Sequence, residues 1–132
     1  MIIAIVGSQS LSIEEYADAE HIVSVVVDNH DRFLGSWPLF ISGGADGVDS
    51  IAEKMVIERL GKHRFEAILP KVRRWAEPGG FRDRNIAIAK RCDRLFLIRS
   101  KSSRTYGSGW TADYAESIGK RVTRFVVPLE KG

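Results

Sequence analysis

Three short stretches carry residue types suited to holding an anion. Gly7-Ser8, Ser42-Gly43-Gly44-Ala45-Asp46-Gly47 and Gly107-Ser108-Gly109 each lie between an apolar run and a helical pattern. A strand that turns through glycine into a helix leaves backbone N–H groups unpaired, and the helix dipole behind them favours negative charge. Glycine also lets a ligand approach the backbone closely. The hydroxyls of Ser8, Ser42 and Ser108 can donate to a phosphate or a sugar, and they can equally cap the helices that follow. One glycine between strand and helix is only a turn. Three such loops on one sheet edge point to a pocket.

Other side chains would complete it. Arg82, Asp83, Arg84 and Asn85 open a helical stretch, where arginines suit bidentate phosphate contacts. The alternative for them is a solvated ion-pair network of little energetic consequence. Thr111 follows the third glycine loop. Two carboxylates are the candidate acid–base groups, Asp49 and Asp113, each in a first helical turn where the dipole favours an acid whatever its function. A carboxylate at Asp49 would repel a neighbouring phosphate, so its functional role would be to accept from a ribose hydroxyl or a base, or to orient its loop. Trp75 and Trp110 sit near loops and can stack on a base or pack on the edge of the core. No Ser–His–Asp or Cys–His arrangement stands out.

The elements that position these residues alternate. Ile2 to Val6 reads as a strand buried on both faces. Ser12 with Glu15 forms a capping box, followed by a helix from Ile13 to about Asn29 with Tyr16, Ala19, Val23, Val26 and Val27 inward. Asp31 to Pro38 reads as a loop. Leu39 to Ser42 is a second strand. A helix follows with Val48, Ile51, Ala52 and Met55 at helical spacing, Asp46 as a candidate N-cap and Gly61 as C-cap. Phe65 to Leu69 is a third strand, stopped by Pro70. Lys71 to Gly80 is a long connection of the kind that is often functional. A helix from Phe81 to Arg91 has Ile86, Ala87 and Ala89 inward, and Leu95 to Ile98 is the fourth strand. Arg99 to Gly109 is a polar loop. Trp110 to Ile118 is the last helix, with Ala112, Ala115 and Ile118 inward and Gly119 as its cap. Val122 to Val127 is the fifth strand. Short apolar strands alternating with helices predict an α/β fold: a Rossmann-like, doubly wound, mainly parallel five-stranded sheet with helices on both faces. Right-handed crossovers put every strand-to-helix loop on the carboxyl edge, where such folds bind ligands.

Bulk properties agree with one domain over residues 1–132. The chain is 44% hydrophobic and 28% charged, an ordinary globular balance. Its formal charge is +3 and its pI about 9.2. The basic residues are dispersed, with weak clusters at Lys71, Arg73, Arg74, Arg82 and Arg84 and at Arg99, Lys101 and Arg104. Such a surface suits a small anion and argues against nucleic acid as the partner. The single cysteine, Cys92, excludes an internal disulfide and reads as a small core residue. The three histidines show no ligand spacing, so no metal is expected; nor is a cofactor. The apolar start is too short for a signal peptide or a membrane span, which predicts a cytoplasmic protein with no membrane partner.

Together these segments resemble the SLOG superfamily. The resemblance rests on Gly7-Ser8, on Ile41-Ser-Gly-Gly-Ala-Asp-Gly-Val-Asp-Ser-Ile-Ala-Glu53, on Gly80-Phe-Arg-Asp-Arg-Asn-Ile86 and on Gly107-Ser-Gly-Trp-Thr-Ala-Asp-Tyr-Ala115. That superfamily includes the DNA-processing protein DprA and the LONELY GUY phosphoribohydrolases. The chain is most similar to the small YspA-like or YpsA-related branch. The resemblance implies a Rossmann-like domain that binds a nucleotide or nucleotide-derived molecule. It places Gly7, Ser8, Gly43, Gly44, Gly47, Asp49, the Arg82 to Asn85 segment, Gly107, Ser108 and Thr111 around the site, and it implies a homodimer or larger homo-oligomer. Two departures matter. The phosphoribohydrolases carry a Pro-Gly-Gly-x-Gly-Thr-x-x-Glu motif with a catalytic glutamate, and the matching Tyr106-Gly-Ser-Gly-Trp-Thr111 region here has no glutamate at that place. Gln9 stands where an arginine is common in this branch.

Three functions follow as expectations: a binder or sensor of a nucleotide-derived small molecule, a hydrolase of an N-glycosidic or phosphate bond using Asp49 or Asp113, and a single-stranded nucleic-acid binder, whose affinity would fall steeply with salt. The first requires the least of the sequence.

Overall fold

The computed structural model describes residues 1–30, 38–103 and 107–130. Strand β1 spans Ile2–Gly7 and helix α1 spans Ile13–His30. The capping box is present: the Ser12 N–H donates to Glu15 Oε1 at 2.9 Å and the Glu15 N–H to Ser12 Oγ at 3.1 Å. Strand β2 is Leu39–Ser42, α2 is Val48–Leu60, and a single 3-10 turn at Lys62–Arg64 leads into β3, Phe65–Ala67. Helix α3 is Phe81–Arg91, β4 is Arg94–Ser100, α4 is Gly107–Ser117 and β5 is Arg121–Val127. The expected loop at 31–37 and residues 104–106 lie outside the described residues.

All five strands are parallel, in the order β3-β2-β1-β4-β5. The chain runs outward from β1 through β2 to β3, then crosses back to β4 on the other side of β1. Strand order therefore reverses between β1 and β4. β1 is buried on both faces, and its alternation divides the core. Ile3 and Ile5 join the cluster beneath α1 and α2, while Ala4 and Val6 join the one beneath α3 and α4. Cys92 lies in the second cluster, where burial pushes its thiol up to about 11. Among the described residues no helix is long and apolar enough to cross a membrane.

Several local expectations differ from the structure. Tyr16 is 42% exposed and Glu15 takes the inward position, because its carboxylate accepts the Ser100 hydroxyl at 2.5 Å beside the capping box. β3 stops at Ala67, where its partner β2 ends at Ser42. Ile86 and Ala87 are only half-buried. The inward stripe of α3 is Asn85, Ile88 and Ala89, continued by Cys92. Ile118 is exposed because α4 closes at Ser117. There the Lys120 N–H reaches Ala115 O and the Gly119 N–H reaches Glu116 O, a Schellman turn with Gly119 at φ +88°. The residue before α2 is Gly47 with no side-chain cap, so exposed Asp46 does not serve as N-cap.

Candidate functional site

The carboxyl edge of the sheet carries a cavity of about 210 Å³ beside the end of β1. Val6 and Gly7 form its floor, and Gln9, Gly43, Ala45 and Asp49 one wall. Phe81, Arg84, Asn85 and Ile88 come from α3, Gly107, Ser108 and Thr111 from α4, and Trp75 from the connection before α3. The site thus collects four loops at the point of strand reversal, where parallel α/β sheets bind ligands.

Helical periodicity chooses among the α3 residues. Phe81, Arg84, Asn85 and Ile88 are spaced i, i+3, i+4, i+7 and share one face. Arg82 is off that face, exposed, and donates to Ala76 O at 3.3 Å. Arg84 is the arginine of the cavity wall. Its Nη1 donates to Gly43 O and, at 3.4 Å, to Ile68 O, and its Nε donates to Asn85 Oδ1 at 2.7 Å. Its Nη2 makes no hydrogen bond to protein among the described residues. Asn85 in turn donates to Gly107 O at 3.4 Å, and the Thr111 hydroxyl bonds the same carbonyl at 2.9 Å. A chain of contacts thus ties the loop after β2 through α3 to the first turn of α4.

Asp49 is 5% exposed. Its Oδ2 accepts the N–H groups of Gly43 at 3.2 Å and Ala45 at 3.3 Å, and its buried Oδ1 has no hydrogen-bond partner among the described residues. Burial dominates its protonation and raises the carboxyl from its ordinary 3.8 to about 7, against the lowering pull of the Ala45 N–H, the Arg84 charge and the Gly43 and Gly7 N–H groups. Burial likewise lowers the Arg84 guanidinium, and the Asp49 charge opposes it.

The glycines serve the packing of protein on protein. A Cβ on Gly43 would lie 2.7 Å from Arg84 Nη1 and 2.9 Å from Asp49 Oδ2. Gly47 has φ +73°, and a Cβ there would lie 2.2 Å from Ser8 O. Gly44 faces the Leu69 side chain. Gly107 differs, since a Cβ there meets nothing within 4 Å among the described residues.

Of the residues singled out from sequence, Gly7, Gly43, Asp49, Arg84, Asn85, Gly107, Ser108 and Thr111 line the cavity. Ser8 turns away, its Oγ accepting the Ser100 N–H at 2.8 Å. Ser42 is fully buried beneath the loop, Gly44 and Gly47 lie outside the lining, and Gly109 is buried in α4. Gly107 to Gly109, expected in a loop, form the first turn of α4. Asp113 stands two residues from Thr111, about 200° round the helix, and pairs with Arg124 at 2.9 Å on the outer surface. Val6, Ala45, Phe81 and Ile88 were not anticipated. The α3 stripe was the available signal for Phe81 and Ile88.

No family model matches the chain, and no curated protein does. Two solved structures share its architecture. The X-ray structure of TM1055 superposes with a TM-score of 0.66 at 19% identity, over 92% of this chain and 71% of that one. DNA processing protein A (DprA) from Streptococcus pneumoniae superposes with a TM-score of 0.52 at 14% identity, over 92% of this chain and 57% of that one. The chain thus spans little more than half the length of DprA. These likenesses show the fold that the chain shares with TM1055 and DprA, a Rossmann-like α/β fold with a five-stranded parallel sheet.

Proposed function

We propose that the cavity binds a nucleotide or a nucleotide-derived small molecule, with its anionic part at the first turn of α4 and Arg84. The observation that carries this reading is their convergence. The helix N-terminus at Gly107 and Ser108 and the Arg84 guanidinium open onto one small cavity at the strand reversal. The resemblance of the glycine-loop motifs to the SLOG superfamily supports the reading by analogy. The test is equilibrium binding of the four ribonucleoside monophosphates to the wild type and to Gly107→Val, whose Cβ would meet nothing within 4 Å among the described residues. Binding by the wild type and at least a tenfold loss in the variant, with an unchanged melting temperature, supports the site. Equal binding by both proteins refutes it.

Asp49 favours a second reading, a nucleotide hydrolase. A buried carboxyl in a cavity wall with its protonation balanced near neutrality is suited to proton transfer. Incubation of each monophosphate with wild type and Asp49→Asn separates the two functions. Free base or ribose phosphate released only by the wild type establishes the hydrolase; intact nucleotide leaves the binder.

A further inference from the structure

The connection between β3 and α3 is closed on itself. The N–H groups of Lys71 and Val72 donate to Gly79 O at 2.8 and 3.1 Å, the Gly80 N–H to Glu77 O at 2.8 Å, and the Phe81 N–H to Arg74 O at 2.8 Å. The Arg82 N–H donates to Trp75 O at 3.0 Å. The backbone of Trp75 is therefore held against the start of α3. Its ring meets Trp110 edge to face, with centroids 5.1 Å apart and an interplanar angle of 88°. Trp110 in turn stacks on Tyr114, one turn further along α4, at 5.4 Å and 11°. Despite these contacts Trp75 remains 40% exposed, and it lines the cavity beside Phe81.

The cavity lining thus combines polar groups, Arg84, Gly107 and Ser108, with two aromatic rings, Trp75 and Phe81, and the Arg84 guanidinium lies over the Phe81 ring, 5.4 Å from its centroid. At about 210 Å³ the cavity falls below the roughly 300–1,000 Å³ of ordinary small-molecule sites. A nucleotide whose anionic part meets Arg84 and Gly107 would extend beyond so small a cavity, and Trp75, exposed among the lining residues, offers its base a surface. Docking the connection onto α4 explains the Trp75–Trp110 contact, but not why Trp75 stays 40% exposed among the residues that line the cavity. An open aromatic surface accepts any planar base.

Resting on the nucleotide reading above, we propose that Trp75, braced by Trp110 and Tyr114, is the stacking platform for the ligand's base and makes the site select nucleotides over plain sugar phosphates. The probes are the four ribonucleoside monophosphates and ribose 5-phosphate, titrated calorimetrically into wild type, Trp75→Ala and Trp75→Phe. Wild type should bind its preferred monophosphate about ten- to a hundredfold more tightly than ribose 5-phosphate, the scale of one base–aromatic stack. Trp75→Ala should lose that preference while keeping its affinity for ribose 5-phosphate, and Trp75→Phe should retain most of it. An undiminished preference in Trp75→Ala overturns the platform and leaves the nucleotide reading intact. Equal loss of both ligand types in Trp75→Ala also overturns it, since Trp75 would then only hold the connection in place. Binding of no monophosphate by the wild type overturns the nucleotide reading and the platform with it.

Discussion

Replacing Asp49 with asparagine should make the protein's stability less dependent on pH. The folded carboxyl titrates at about 7 against 3.8 when solvated, so the folded state keeps a proton that the unfolded chain releases. The sign follows from the raised value. This stabilisation is complete below the unfolded pKa and is lost as pH rises through the folded one. A shift of about three units corresponds to about 4 kcal/mol in all, of which about 2.5 kcal/mol falls between pH 5 and pH 8. Asparagine keeps the shape and an acceptor for the Gly43 and Ala45 N–H groups, and it cannot ionise. Urea unfolding of both proteins at pH 5, 6, 7 and 8 gives the difference directly. The wild type should lose about 2 to 3 kcal/mol relative to Asp49→Asn across that range. A difference that stays flat would mean that Arg84 and the loop N–H groups hold Asp49 ionised throughout. The reasoning from burial would then fail, and the acid–base reading of Asp49 with it.

Other substitutions probe the remaining links. Arg84→Ala removes the donor to Gly43 O, Ile68 O and Asn85 Oδ1 and should cost about 2 kcal/mol in urea unfolding. The same variant should bind anionic ligands at least tenfold more weakly by calorimetry. Gly47→Ala combines a positive φ with a 2.2 Å approach to Ser8 O and should lose about 3 kcal/mol, measured by the same denaturation. Asp113→Asn breaks only an exposed ion pair with Arg124, so its unfolding free energy should change by less than about 1 kcal/mol and its ligand titrations not at all.

Much of the scaffold was legible because its signals are local. Ser12 and Glu15, three residues apart, announce the start of α1, and the box forms as written. Gly61 and Gly119 close α2 and α4, and Phe81 to Arg91 is the observed α3. The misses arose where a distant partner decided a local outcome. Tyr16 yielded the inward place to Glu15 because Ser100 stands 85 residues away in sequence and beside it in space. Ser8 reads as a ligand donor, but its hydroxyl is buried against β4, where it accepts the Ser100 N–H, and it does not line the cavity. The glycines of the second loop suggested ligand approach. The structure shows instead that Arg84, Leu69 and the backbone after β1 press against them.

The sequence by itself determined the alternation of strands and helices, the doubly buried β1, the helix ends and the edge of the sheet on which the loops gather. Those follow from hydrophobic period, capping and handed crossovers, which neighbouring residues encode. Only the tertiary structure decided that Arg84 rather than Arg82 faces the cavity, and that Asp113 faces solvent. It alone decided that Trp75 stays exposed among the residues lining the cavity, and that Asp49 is dry enough for its proton to be held near neutrality. Each of these depends on elements far apart in the chain meeting at one sheet edge. Burial and electrostatic environment are properties of that meeting, and no single stretch of sequence carries them.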